Sequence, residues 1–128
     1  NLEWGRDNRT TGIRIPISDP AARRIENRLP GMDCNPYLCI AASLACGYLG
    51  MKNEIRPDKR WQGEAYNSEA EIAASLWDAL DLFDEAKELH EVLGPEFARV
   101  YSIVKRTEYT EFLQVISPWE REHLLLNV

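Results

Sequence analysis

Several things are scarce in this sequence. Lysine is missing from the first thirty residues, and the whole 128-residue chain holds only two histidines and three cysteines. An odd cysteine count without a Cys-x-x-Cys pair implies neither a disulfide framework nor a zinc knuckle. Reduced thiols in a cytoplasmic compartment are the expectation. No histidine precedes His90, so Cys34 has no nearby partner for a Cys-His nucleophile. A Gly-rich phosphate loop, a Gly-x-Ser-x-Gly elbow and a His-Glu-x-x-His motif are all absent. No apolar run reaches the roughly 18 residues of a membrane span, and no basic, apolar leader opens the chain. The net charge of −6 excludes general nucleic-acid binding, which needs a basic face. What remains is a globular composition, 45% apolar and 28% charged, with length for one modest core.

The positive charge is concentrated. Residues 1–30 carry six of the eleven arginines and four acids, a net of +2, while residues 31–128 carry a net of −8. Guanidinium is a planar fork that grips carboxylate or phosphate at two points; lysine is a point charge. The first thirty residues therefore read as a site, and residues 31–128 read as a helical scaffold.

Ile13, Ile15 and Ile17 alternate with Gly12, Arg14 and Pro16, the period of a strand with one buried face. Residues 23–29 read as a second short strand, whose alternation puts Arg24, Glu26 and Arg28 on one face. The two strands can pair as a hairpin. Asn35-Pro36 opens a helix running to Leu49, apolar nearly all round and so expected to be buried on most sides. Cys39 and Cys46 have core spacing on it. Residues 52–67 read as an exposed loop. A Ser-x-x-Glu box at Ser68–Glu71 and a second start at Ser75 compete to open the next helix. Its stripe is Ile72, Leu76, Leu80 and Phe83. After Gly94-Pro95 a longer stripe runs through Phe97, Val100, Val104, Phe112 and Val115. Ser117-Pro118-Trp119-Glu120 caps a last helix to about Leu126. His90 and His123 read as surface residues, and Asp78, Asp81, Glu85 and Glu88 as a solvated helix face. Short antiparallel strands followed by four or so helices give an α+β class. Two short strands are too few for an independent sheet. With Asn1 rather than Met at the start, the chain reads as a C-terminal piece of a longer protein.

The face formed by Arg24, Glu26 and Arg28 has two readings. One is an exposed strand face with self-neutralising charges. The other is a ligand site: a carboxylate flanked by two guanidiniums stays ionised and suits Mg²⁺, while the arginines suit phosphate oxygens sharing that metal. The second describes phosphoryl transfer, where catalysis is mostly positioning and charge stabilisation. Arg14 projects from the polar face of the first strand. Arg9 lies in a loop, and strand geometry alone does not aim it at the others.

These same residues resemble the glutamine synthetase family. The resemblance is carried by Asn8-Arg9-Thr10-Thr11-Gly12-Ile13-Arg14-Ile15-Pro16, by Arg23-Arg24-Ile25-Glu26-Asn27-Arg28, and by Asn35-Pro36-Tyr37-Leu38. It implies the C-terminal part of a catalytic domain that joins ammonia or a small amine to the γ-carboxylate of glutamate. The implied cofactors are ATP and Mg²⁺ or Mn²⁺, and the implied intermediate is γ-glutamyl phosphate. By resemblance, Arg9 holds glutamate, Arg14 and Arg24 contact ATP, and Glu26 ligates metal. Arg28 contacts both glutamate and the transferring phosphoryl group. Intact relatives form rings, often dodecamers, and the fragment alone is expected to be inactive.

Departures from the family pattern point to a branch. The linker from Arg14 to Glu26 is one residue shorter than in ammonia-using bacterial enzymes, and Ala21 or Ala22 stands where a lysine is common. Tyr66 lies near a regulatory adenylylated tyrosine of some members, but Glu64-Ala65 and Asn67-Ser68 do not match that motif. The segments 31–36 and 116–120 look closer to the glutamate–polyamine ligases, so a γ-glutamylpolyamine synthetase is the second reading. A non-catalytic paralogue, acting as a scaffold or regulatory module, is the reading outside enzymes.

Overall fold

The computed structural model describes residues 1–69 and 72–125. The chain folds as two units, Asn1–Ala74 and Ser75–Val128. Short strands precede helices, an α+β arrangement.

In the first unit, β1 (Trp4–Arg6), β2 (Ile13–Ile15) and β3 (Glu26–Asn27) form one sheet in that order. β2 and β3 pair antiparallel, Ile13 opposite Asn27 and Arg14 opposite Glu26. The hairpin pairing thus forms, although the second strand is only two residues long instead of seven. Arg23 and Arg24 lie ahead of it, after a 3-10 turn at Pro20–Ala22. β1 was not foreseen. It runs parallel to β2, with Trp4 opposite Ile13, Gly5 opposite Arg14 and Arg6 opposite Ile15.

Parallel neighbours usually need a crossover of a dozen or more residues. Here a tight, internally bonded loop replaces it. Asn8 Oδ1 accepts from the Thr10 amide (2.9 Å) and hydroxyl (2.7 Å), and Asn8 Nδ2 donates to the Gly63 carbonyl at 2.8 Å. The expected loop at 52–67 is irregular, yet it is stapled to β1. The Trp4 indole donates to the Asp58 carbonyl at 2.8 Å, and the Trp61 amide donates to the Trp4 carbonyl at 3.0 Å. Asn1 Nδ2 reaches the carbonyl of Ala65, which is fully buried, at 2.7 Å. Ile13 and Ile15 are half-buried, whereas Ile17, beyond the end of β2, is exposed.

α1 spans Pro36–Lys52, and its Asn35 cap accepts from the amides of Tyr37 and Leu38. Its burial departs from expectation. Only Ala45 is buried, and Tyr37, Ile40, Leu44, Tyr48 and Met51 are exposed. Cys46 is exposed too, and Cys39 half-buried. The all-round apolar pattern is real, but the described residues of this unit do not supply enough surface to cover it.

In the second unit, α2 (Leu76–Glu85) starts at Ser75, whose hydroxyl accepts from the Asp78 amide at 3.1 Å. The competing box at Ser68–Glu71 involves Glu71, outside the described residues. α3 (Lys87–Leu93) follows after Ala86, and Gly94 at φ 98 admits Pro95 as the first residue of α4 (Pro95–Phe112). α5 (Pro118–His123) has both capping-box bonds: the Glu120 amide donates to the Ser117 hydroxyl oxygen, and the Ser117 amide donates to the Glu120 carboxylate. The expected end near Leu126 lies outside the described residues.

α4 turns a different face inward from the one its apolar stripe suggested. Ala98 and Ser102 are buried, while Phe97, Val100, Val104, Phe112 and Val115 are exposed. The small residues allow close approach. Arg106 then bonds Asp81 (2.6 Å) and Asp84 (2.7 Å) and lies 4.6 Å over the Trp77 ring. Asp81 is therefore paired rather than simply solvated. His90 is also half-buried, against the Phe83 ring and carbonyl. Among the described residues, no helix is long and apolar enough to cross a membrane.

Candidate active site

The antiparallel register of β2 and β3 sets Arg14 directly across from Glu26. Directly opposed residues share a face of the sheet. Arg14 Nη1 donates to Glu26 Oε2 at 2.7 Å. Arg24, two residues before Glu26, donates from Nη2 to the other carboxylate oxygen at 3.1 Å. Arg14 Nη2 binds Asp7, at the end of β1 in a left-handed conformation with φ 52. The group is a charge-balanced relay, Asp7–Arg14–Glu26–Arg24.

The Arg14 side chain is only 14% exposed and Glu26 30%. The Arg14 hydrogen bond, ahead of that from Arg24, holds the Glu26 carboxyl below the usual glutamate range. Glu26 and then Asp7 hold Arg14 above the usual arginine value. Both groups are therefore charged across the physiological range. Arg14 Nε is buried and has no partner among the described residues.

The expected flanking of Glu26 by Arg24 and Arg28 changes partner: Arg24 stays and Arg14 replaces Arg28. Arg28 sits one residue past β3 and is exposed, its amide donating to the Gly12 carbonyl at 2.8 Å. Arg9 lies exposed in the loop after β1. Among the described residues neither Arg9 nor Arg28 makes an ion pair, so both remain available to a ligand. Asp7 was missed by sequence reasoning. Its only signal was its place between an unrecognised three-residue strand and the Asn8 loop.

Cys34 is exposed, and partial desolvation, then Cys39, push its thiol up in pKa. That is opposite to an activated nucleophile.

As a metal ligand, Glu26 has the right charge but little company. Among the described residues no three His, Cys, Asp or Glu cluster to hold an ion. A hard divalent cation takes about six or more oxygens. These residues therefore fit one ligand position and do not form a complete site.

Residues 1–124 match the model of the glutamine synthetase catalytic domain. The chain belongs to that family. It is 39% identical over 124 residues to a glutamate–isopropylamine ligase of Pseudomonas sp., covering 94% of this chain and 27% of the relative. It is 36% identical over 125 residues to gamma-glutamylputrescine synthetase of Escherichia coli strain K12, covering 97% of this chain and 26% of the relative. It is 33% identical over an alignment of 136 residues to glutamine synthetase of Methanosarcina mazei, covering 97% of this chain and 30% of the relative. The chain thus spans about a quarter to a third of the length of these relatives. Arg14, Arg24 and Glu26 of the relay lie in the stretches that carried the resemblance, and Asp7 immediately precedes the first of them.

Proposed function

We propose that this chain is the C-terminal part of the catalytic domain of an ATP-dependent glutamate–amine ligase. The glutamate γ-carboxylate attacks the terminal phosphorus of ATP and ADP leaves. The amine then displaces phosphate from γ-glutamyl phosphate and gives up a proton. Arg14 and Arg24 bind nucleotide phosphates, and Glu26 supplies one carboxylate ligand toward Mg²⁺ or Mn²⁺. A divalent cation, when bound, neutralises phosphate charge. Arg9 binds glutamate, and Arg28 binds glutamate and the transferring phosphoryl group. The observation that carries this reading is the carboxylate held ionised between two guanidiniums, with Arg9 and Arg28 making no ion pair among the described residues. It is the charge pattern that phosphoryl transfer needs.

The 128 residues alone supply one metal ligand and are inactive by themselves. By the family resemblance the intact protein is a cytoplasmic homo-oligomer, a ring of up to twelve subunits. A second reading concerns the acceptor. The relatives named for isopropylamine and putrescine share 39% and 36% identity with this chain, against 36% and 33% for two glutamine synthetases. With segments 31–36 and 116–120 closer to the glutamate–polyamine ligases, a small alkylamine or polyamine is the second acceptor to test beside ammonia.

The test is glutamate-dependent phosphate release from ATP by the intact protein, with ammonia, isopropylamine and putrescine in separate arms. Arg28→Gln should lower kcat at least tenfold. No amine-dependent release in any arm would sink the enzyme reading and revive the scaffold reading.

A further inference from the structure

The face of the sheet opposite the Arg14–Glu26 pair holds a second cluster of cations. Trp4 stands opposite Ile13 and Arg6 opposite Ile15, while Gly5 stands opposite Arg14. Alternation therefore sends Trp4, Arg6 and Ile15 to one face and Arg14 and Glu26 to the other. On that second face lies an open cleft of about 410 Å³, whose lining includes Trp4, Arg6, Ser18, Arg23 and Arg60.

The three arginines come from three separate segments. Arg6 is the last residue of β1, Arg23 follows the 3-10 turn, and Arg60 sits in the irregular loop. Arg60 is brought in by hydrogen bonds to Trp4 on either side. The Asp58 carbonyl accepts from the Trp4 indole, and the Trp61 amide donates to the Trp4 carbonyl. Arg23 and Arg24 are adjacent in sequence but diverge: Arg24 binds Glu26, whereas Arg23 lines the cleft.

No ion pair neutralises Arg6, Arg23 or Arg60 among the described residues, and no carboxylate lines this cleft. Glu3 and Asp58 line an adjoining cleft that shares Arg60, and Glu3 is bonded to the Ser68 hydroxyl at 2.8 Å. In a protein of net charge −6, three uncompensated guanidiniums converging on one cleft are a local exception. The Ser18 hydroxyl at the same place is buried and has no hydrogen-bond partner among the described residues. A buried hydroxyl without a partner is costly unless something else bonds it.

We propose that this cleft is a second anion site, distinct from the catalytic face, which takes a phosphate or polyphosphate group. Three guanidinium forks satisfy several phosphate oxygens at once, and the Ser18 hydroxyl donates to another. The same chemistry arrives as free phosphate, as pyrophosphate or as the tail of a nucleotide. The site goes beyond the ligase reading, since none of its residues belongs to the relay on the other face.

Calorimetric titration of the intact protein with pyrophosphate tests it. Two separable sites per chain are expected. One is weakened at least tenfold by Arg60→Gln and by Arg23→Gln, and weakens steeply as salt rises. The other is unaffected by those changes and weakened by Arg24→Gln. All three residues are exposed, so the variants should keep the wild-type amide spectrum. Inorganic phosphate and ATP titrated in the same way identify the source. Tighter binding of ATP at the Arg60-dependent site assigns a nucleotide tail; tighter binding of phosphate or pyrophosphate assigns a free anion. Pyrophosphate binding that ignores Arg23→Gln and Arg60→Gln, or a single site lost only with Arg24→Gln, would overturn the proposal.

Discussion

Replacing Gly12 by alanine tests how the site's scaffold is held. A Cβ at this position would lie 2.1 Å from the Asn1 carbonyl oxygen and 2.5 Å from Leu29 Cδ2. Favourable contacts lie near about 3.5–4.0 Å, so the Asn1 backbone must retreat by more than about 1 Å. That backbone is not free to yield. The Asn1 side chain donates to Thr10 O at 3.0 Å and Ala65 O at 2.7 Å, and accepts from the Gly12 amide at 3.2 Å. Overpacking of this kind costs about 1–3 kcal/mol. In a folding unit of this size that lowers Tm by about 5–20 °C. Tryptophan emission during heating follows it, since Trp4 and Trp61 both belong to the affected unit. Hydrogen exchange gives the local reading: the Ile13 amide, bonded to Glu3 O, and the Arg28 amide, bonded to Gly12 O, should lose protection first. Gly47 is the control. It lies inside α1 with nothing within 4 Å of its would-be Cβ. There alanine should stabilise the helix by about 0.5–1 kcal/mol. Equal signs at the two positions, or a Gly12→Ala change within about 0.5 kcal/mol of wild type, would refute the reasoning.

Two further predictions concern charge and capping. Since Glu26 titrates below the usual glutamate value in the fold, its pairing adds stability above that value. The contribution is lost as pH falls through the depressed folded value. Carboxyl carbon NMR should show the Glu26 midpoint rising toward the ordinary value in Arg14→Leu, and an ordinary midpoint in the wild type would contradict the geometry. At the second unit, Ser75→Ala should cost about 1 kcal/mol in urea unfolding while Ser75→Asp costs little. Equal losses for both would show that the Ser75–Asp78 bond is not what starts α2.

Local chemistry was legible in the sequence where it acts over few residues. The caps at Asn35, Ser75 and Ser117 form as side-chain spacing suggested. Alternation placed Arg14 and Glu26 on polar faces, and the register then joined them. What was not legible depended on partners distant in the chain. β1 is three residues long, too short to show a period, and its parallel pairing rests on loop bonds from Asn8 and on the segment near residue 61. Missing β1 meant missing Asp7. The inward face of α4 was hidden for another reason. It uses alanine, serine and an arginine stem, whereas hydrophobic periodicity weights Phe97, Val100 and Val104. α1 shows the converse: an apolar pattern predicts that a surface wants cover, not that this chain provides it.

The relay itself constrains how an anion can reach Arg14. Both of its terminal nitrogens are committed, one to Glu26 and one to Asp7. Because Nε is buried, a phosphate that grips Arg14 through its two terminal nitrogens competes with one carboxylate or the other. Glu26 is shared with Arg24 through its second oxygen, whereas Asp7 has no second cation among the described residues and is the more exposed, 46% against 30%. Displacing Asp7 therefore breaks one ion pair, while displacing Glu26 disturbs two. If Arg14 binds nucleotide as proposed, Asp7 would act as an internal competitor for its guanidinium. Asp7→Asn keeps the shape, removes the competing charge and should tighten nucleotide binding at this face several-fold. In calorimetry of the intact protein that gain should vanish in the Arg14→Leu background, because the two changes act on one guanidinium. Weaker nucleotide binding in Asp7→Asn would mean that the carboxylate positions Arg14 for ligand rather than competing for it.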